Sequence, residues 1–258
     1  MTIAVVIPAY NEATTIREVA TRALAQLDWV IVVDDGSVDA TAQCLATLPV
    51  TVLRHGENRG KAASLWRGMA HALERGATGV ITLDADGQHR PEDMPRLLAL
   101  AKDRPRALIV AARLQNQERV PPLRRFANRQ ANFWISWAAG RPLPDTQSGF
   151  RLYPAALLEA VRLPCDRAHS FVFESELLIE AARKGFAIRA VAVEALYYSN
   201  ARASYYRPFW DTALITKMVA WKLISRGLCL PGLLRCLGVW WRLVPTFDVP
   251  LASEKEEL

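Results

Sequence analysis

Residues 80–89 read Val80-Ile81-Thr82-Leu83-Asp84-Ala85-Asp86-Gly87-Gln88-His89. Four residues suited to a buried strand run straight into two carboxylates spaced i, i+2 and then a glycine. Four more short apolar runs, over 3–7, 29–33, 50–53 and 108–112, are bounded by turn residues in the same way. Between these runs the periodicity becomes helical, over about 12–26, 39–47, 61–74 and 91–101. Apolar runs too short and too uniform to alternate are strands covered on both faces. The pattern therefore predicts an α/β fold on a mainly parallel, doubly wound sheet. Ligands of such a sheet bind beyond the carboxyl ends of its strands.

The composition agrees with a packed chain. Of 258 residues, 51% are hydrophobic, enough for a real core and too many for disorder. The longest stretch without a charge is Ala40 to Leu53, fourteen residues containing Thr and Gln, short of the roughly 18–20 apolar residues that span a bilayer. The N-terminus opens as a strand with no basic lead, which argues against a signal peptide. Four cysteines (Cys44, Cys165, Cys229, Cys236) form no CxxC pair, which fits a reducing compartment and disfavours a zinc site.

Beyond residue 112 the alternation loosens. A polar, arginine-containing loop, expected to be mobile, covers 113–122, and a helix follows over about 123–139. A Pro-rich link leads into 145–153, then come a helix over 171–184 and a strand over 186–193. After Tyr198 two apolar, basic helices are expected over 209–226 and 228–243, split near Gly227 and kinked by Pro231. The organisation is thus an α/β domain over 1–200, a basic amphipathic helical segment over 201–245 and an acidic tail over 246–258.

Three strand ends carry the chemistry. The first is Pro8-Ala9-Tyr10-Asn11-Glu12, the second Asp34-Asp35-Gly36-Ser37 with Asp39 two positions on, and the third Asp84 to His89. Alone, Asp-Gly-Ser is a turn and Asp-x-Asp often a helix cap. Their recurrence at one sheet edge points to a ligand. Asp84 and Asp86 can hold one hard cation, Mg2+ or Mn2+, while leaving positions for phosphate oxygens and water. Such a cation stabilises a departing diphosphate. Gln88 offers a further neutral oxygen, whereas His89 reads as a supporting residue because hard cations prefer oxygen. No GxGxxG follows the first strand, and Gly56 to Ala62 is one residue short of a P-loop and lacks its Ser/Thr.

These segments resemble the family 2 glycosyltransferases. The resemblance is carried in order by Val6 to Glu12, Val33 to Asp39, Asn58-Arg59-Gly60-Lys61, Leu83 to His89 and Asp145-Thr146-Gln147-Ser148-Gly149-Phe150-Arg151. Within that family the chain is most similar to the dolichol-phosphate mannose synthase-like branch. The resemblance implies a GT-A fold, a nucleoside-diphosphate sugar donor (GDP-mannose or a UDP-sugar), a divalent metal and inversion at the anomeric carbon. It implies that Pro8, Tyr10 and Glu12 line the nucleotide pocket, that Asp35 contacts base or ribose, and that Asp39 and Lys61 shape that pocket. It places Asp84, Asp86 and Gln88 at the metal and diphosphate. The competing readings are packing for Pro8 and Tyr10 and helix capping for Asp39.

On the acceptor side, Arg113, Arg119, Arg124, Arg125 and Arg129 face Glu118 alone, +4 over seventeen residues. Guanidinium holds phosphate bidentately, and in the family similar positions serve acceptor phosphate, which makes Arg113 and Arg129 candidates. Arg151 is a third, against a structural role in its motif. A phosphate acceptor is largely dianionic at neutral pH and needs no strong base. A hydroxyl acceptor needs a carboxylate, for which Asp145 is the first candidate, with Glu174 and Glu176 behind it. After Val193 the sequence departs from the polyprenyl-phosphate branch, with Arg202 and Ser204 as the positions able to retain its acceptor function.

Seven basic residues and one acid lie between Arg202 and Arg242, together with four of the eight tryptophans. Basic and Trp-bearing apolar helices suit an anionic membrane interface. Taken together, the expectation is an inverting, metal-dependent enzyme acting on a lipid or lipid-phosphate acceptor, peripheral on the cytoplasmic face of the cell membrane. Transfer to a hydroxyl of another hydrophobic molecule, and a non-catalytic scaffold, are the alternatives. Nucleic acid is not an expected partner, and self-association into a homo-oligomer is left open.

Overall fold

The computed structural model describes residues 1–115, 122–165, 172–194, 208–225 and 227–241. The first half alternates as its periodicity demands: β1 (Ile3–Ala9), α1 (Ile16–Leu24), β2 (Val30–Asp34), α2 (Thr41–Leu45), β3 (Thr51–Arg54), α3 (Lys61–Glu74), β4 (Gly79–Thr82), α4 (Met94–Asp103) and β5 (Leu108–Gln115). Then follow α5 (Pro122–Ala139), β6 (Arg151–Pro154), α6 (Ala155–Ala160), α7 (Phe173–Arg183), β7 (Ile188–Glu194), α8 (Pro208–Ile224) and α9 (Leu230–Trp241).

The strands form one sheet in the order β3-β2-β1-β4-β6-β5-β7. All run parallel except β6, which is antiparallel to both β4 and β5. The central strands alternate their side chains between two apolar layers. Ala4 and Val6 of β1 join α3, α5 and α7, while Ile3, Val5 and Ile7 join α1 and α4. This is the GT-A fold.

The sequence reading did not find β6. Its four residues are Arg-Leu-Tyr-Pro, and both ends are residues that a strand pattern disfavours. Its reversal has a consequence for the site. β6 begins where β4 ends and beside Val110 of β5, so the chain entering it, Asp145 to Phe150, lies on the same edge as Asp84 and Arg113.

Two helices are shorter than expected. α2 starts at Thr41 because the Asp39 carboxylate accepts hydrogen bonds from the Thr41 N–H (3.0 Å) and from the Ala13 N–H (3.2 Å). α1 starts at Ile16, behind a loop in which Asn11 adopts φ +53°, a region Asn tolerates.

The C-terminal helices pack on the domain. Val219 and Leu223 of α8 enter the core layer under α5 and α7, and Cys236 of α9 is buried. Lys222 reaches Glu176 and Glu180 of α7, each at 2.7 Å. Pro231 opens α9 rather than kinking it. In the first turn its missing N–H costs nothing, and the break falls at Gly227 to Cys229, all at positive φ. Positions 116–121 of the expected loop over 113–122, like Arg202, Ser204 and the acidic tail, lie outside the described residues, and Pro122 opens α5. Arg113 itself belongs to β5. Among the described residues no helix is long and apolar enough to cross a membrane.

Candidate active site at the sheet edge

The loops after β1 and β2 are stitched together. The Asn11 N–H donates to Ser37 Oγ (2.8 Å), Asn11 Oδ1 accepts from the Val38 N–H (2.9 Å), and the Glu12 N–H donates to Thr41 Oγ1 (2.8 Å). The Glu12 carboxylate itself accepts from Thr15 Oγ1 at 3.2 Å. Pro8, Tyr10 and Glu12 are half-buried at this rim, open enough to meet a ligand. Asp39 joins the same stitching, accepting from the backbone N–H groups of Ala13 and Thr41.

Asp35 is buried, and its carboxylate is engaged. Oδ1 accepts from the Arg59 N–H (2.9 Å) and lies 2.7 Å from His55 Nδ1, and Oδ2 accepts from the Gly60 N–H (2.8 Å). It therefore fixes the 55–60 loop, which presents Lys61 at the start of α3. Gly36 makes this approach possible. It sits at φ +74°, and a Cβ there would lie 2.6 Å from the Glu57 carbonyl carbon.

Lys61 bridges two carboxylates: Nζ is 2.7 Å from Asp84 Oδ1 and 2.8 Å from Glu174 Oε2. Burial alone would favour the neutral amine, but the two anions outweigh it and hold the ammonium charged. Burial likewise works against a charged Asp84, and Lys61 more than reverses this, so Asp84 stays ionised. Asp86 goes the other way: burial and then the neighbouring Asp84 raise its pKa. Its Oδ1 accepts from the Gln88 N–H at 3.0 Å, a backbone bond. His89 is buried against Phe150 with ring centroids 5.6 Å apart, and burial holds its pKa down at about 4.

The acceptor-side residues divide sharply. Arg113 grips Asp145 with its backbone N–H (2.9 Å to Oδ2), Nε (2.8 Å to Oδ2) and Nη2 (2.9 Å to Oδ1). Burial raises the Asp145 pKa, but these donors overcome it and keep the group below the ordinary carboxylate range. Asp145 is thus an anion held at both oxygens, and the fork of Arg113 is engaged with it.

Arg151 is likewise engaged with protein groups. It is 1% exposed, and its guanidinium donates to the carbonyls of Ser148 (2.7 Å), Thr146 (2.9 Å) and Glu174 (2.6 Å). It ties the 146–148 turn to α7. Arg129 is exposed on α5, one turn before Asn132, whose Oδ1 accepts from the Thr146 N–H (2.8 Å) and hydroxyl (2.6 Å).

Residues 4–162 match the sequence profile of the family described as Glycosyl transferase family 2. The chain belongs to that family. This glycosyltransferase is 31% identical over 209 residues to the undecaprenyl-phosphate mannosyltransferase of Micrococcus luteus, covering 75% of this chain and 83% of that one. It is 28% identical to the UDP-N-acetylglucosamine--dolichyl-phosphate N-acetylglucosaminyltransferase of Methanococcus voltae, covering 77% of this chain and 88% of the other. Both similarities fit the dolichol-phosphate mannose synthase-like branch. Among solved structures, glucosyl-3-phosphoglycerate synthase from Mycobacterium tuberculosis, crystallised with Mn2+, UDP and phosphoglyceric acid, superposes with a TM-score of 0.64 at 23% identity. That match covers 88% of this chain and 78% of that one, and it shows the shared fold.

Sequence reasoning placed Glu174 of this glycosyltransferase behind Asp145 as a spare base and missed its bond to Lys61. The two lie 113 positions apart, and no local signal joins them. His55, the partner of Asp35, was missed for the same reason.

Proposed function

We propose that this glycosyltransferase moves a sugar from a nucleoside-diphosphate sugar to a polyprenyl-phosphate-type lipid, with inversion, at the cytoplasmic surface of a membrane. The clamped state of Asp145 is the observation that carries the choice of acceptor. A hydroxyl acceptor needs a base in reach, and the foremost candidate is held as a low-pKa anion by Arg113. A phosphate oxygen attacks the anomeric carbon without one, the bond from that carbon to the diphosphate breaks, and the nucleoside diphosphate leaves. The acceptors named for the relatives from M. luteus and M. voltae, both polyprenyl phosphates, support the same reading.

For the donor, Asp84 and Asp86 supply hard oxygen ligands at the carboxyl edge. Among the described residues no group of three or more His, Cys, Asp or Glu is arranged to hold a metal. Two carboxylates suit an ion that keeps phosphate oxygens and water as its remaining ligands, as Mg2+ and Mn2+ do. Burial and then the neighbouring Asp84 raise the Asp86 pKa, so added positive charge would favour its ionised form. Asp84 and Asp86, with Gln88 beside them, would hold the ion, which supplies charge neutralisation to the departing diphosphate. Pro8, Tyr10 and Glu12 line the adjoining rim, and Arg129 receives the acceptor phosphate.

The membrane reading rests on the outer faces of α8 and α9. Trp210, Trp221, Ile224, Leu230 and Leu234 are exposed there, between 61% and 72%. Lys217 and Arg235 are exposed on the same two helices, and no Asp or Glu occurs between positions 212 and 241. Trp137 Nε1 donates to the Leu228 carbonyl (2.7 Å) and its ring stacks on the exposed Trp134, which extends the surface onto α5. An apolar face with basic residues and no acids suits anionic lipid headgroups.

The test is an assay of GDP-mannose, UDP-glucose and UDP-N-acetylglucosamine against undecaprenyl phosphate, undecaprenol and a glycolipid, with mass detection of products. A glycosyl-phosphoryl-undecaprenol is expected. Glycosylation of the hydroxyl acceptors alone would overturn the assignment.

A further inference from the structure

Lys61 occupies a place that chemistry would give to a cation. Its ammonium lies between Asp84 and Glu174, and the two carboxylates converge over Gly149. A Cβ added there would lie 2.7 Å from Asp84 Oδ2 and 3.0 Å from Glu174 Oε1. Glu174 Oε1 is buried and accepts no hydrogen bond. Two anions brought this close, one with an oxygen unsatisfied, hold together only with positive charge between them.

We propose that Lys61, held by Glu174, is a positioning residue that serves as a resident counter-cation for Asp84, so that the Asp84–Asp86 pair takes a divalent ion only when a diphosphate arrives with it. This rests on the reading of Asp84 and Asp86 as cation ligands. Without nucleotide, Lys61 neutralises Asp84 and occupies its Oδ1, and a divalent ion would compete with a tethered charge already in place. A diphosphate gives the ammonium a second anion to face and adds negative charge to the site, which frees Asp84 Oδ1. Ordered loading follows from charge alone: ion and nucleotide arrive together.

The charge balance makes two substitutions act in opposite directions. Lys61→Met leaves Asp84 and Glu174 without their shared cation. Glu174→Gln hands the whole ammonium to Asp84. Mn2+ binding to the full chain is followed by electron paramagnetic resonance of the free ion, with and without UDP or GDP, and thermal melts confirm folding. Wild type is expected to bind Mn2+ weakly alone and at least about tenfold more tightly with nucleotide. Lys61→Met should bind Mn2+ alone roughly tenfold more tightly than wild type and gain less from nucleotide. Glu174→Gln should bind it more weakly than wild type. If nucleotide recruits Mn2+ to wild type but neither variant moves the nucleotide-free affinity in its stated direction, the counter-cation role of Lys61 is wrong and the cation site stands. If wild type takes no Mn2+ with either nucleotide, both fall together.

Discussion

Arg113 donates three hydrogen bonds to Asp145, one from its backbone and two from its guanidinium, all between 2.8 and 2.9 Å. The residues are 32 positions apart, on β5 and on the turn before β6. The pair fixes the height at which the Asp145–Phe150 segment crosses the sheet edge. Removing one partner strands a buried charge, which costs about 3–5 kcal/mol. Arg113→Met should therefore lower stability by about that much, and Arg113→Met with Asp145→Leu by less than the sum of the two singles. Urea midpoints of the four proteins check this.

Asp86→Asn should cut donor turnover by about a hundredfold or more while leaving the melting temperature unchanged or higher. The second half follows from the repulsion Asp86 feels from Asp84. Excess EDTA should match the loss in wild type. Full activity in EDTA would remove the cation from the reaction.

Arg151→Lys separates a structural role from an acceptor-binding one. Lysine cannot span the carbonyls of Ser148, Thr146 and Glu174 together, so at least one buried acceptor loses its donor. The expected loss is about 2–4 kcal/mol of stability, with the KM for acceptor unchanged in the folded fraction. Arg129→Ala should do the reverse, raising the acceptor KM without moving the melt. Steady-state kinetics below the melting range distinguish the two.

Stability should fall as the medium is acidified from about pH 6.5 to pH 4. Burial holds His89 at about 4, whereas an unfolded chain takes up that proton near 6.5. Between these values the unfolded state binds more protons than the folded one. The contribution of neutral His89 is complete above 6.5 and is lost downward at up to about 1.4 kcal/mol per pH unit. His89→Phe, which keeps a ring against Phe150, should flatten that slope in urea titrations at pH 7 and pH 5.

Trp221→Glu combined with Leu234→Glu should abolish sedimentation with vesicles rich in phosphatidylglycerol and leave the melt near wild type, because both side chains are exposed. Truncation after Tyr198 is a poorer probe. It would strip Val219, Leu223 and the Lys222 ion pairs from the core layer and unfold α7 along with any membrane contact.

Much of the donor edge was legible residue by residue. β1, β2, β4 and the carboxylates at their ends follow from short apolar runs broken by Asp and Gly, and α3 begins and ends where its periodicity says. Asp84 and Asp86 read correctly as neighbours because two positions of one loop are close whatever the rest does. The acceptor side was harder. Arg113, Asp145 and Arg151 carry suitable chemistry, but whether an arginine is free or engaged depends on partners far away in the chain. β6 escaped because a strand made of Arg, Leu, Tyr and Pro has too little period to declare itself.

The order of strands and carboxylates along the chain, the family and the apolar, basic character of α8 and α9 are set by the sequence alone, since periodicity and local spacing are properties of neighbours. Tertiary structure decided which charges meet. It reversed β6 and brought Asp145 under Arg113, sank Arg151 among carbonyls, and set Lys61 between Asp84 and Glu174. It also divided α8 into a face in the core and a face outside. Ion pairs and burial are determined by distance in space, and the ion pairs of this site join residues between 20 and 113 positions apart in the chain.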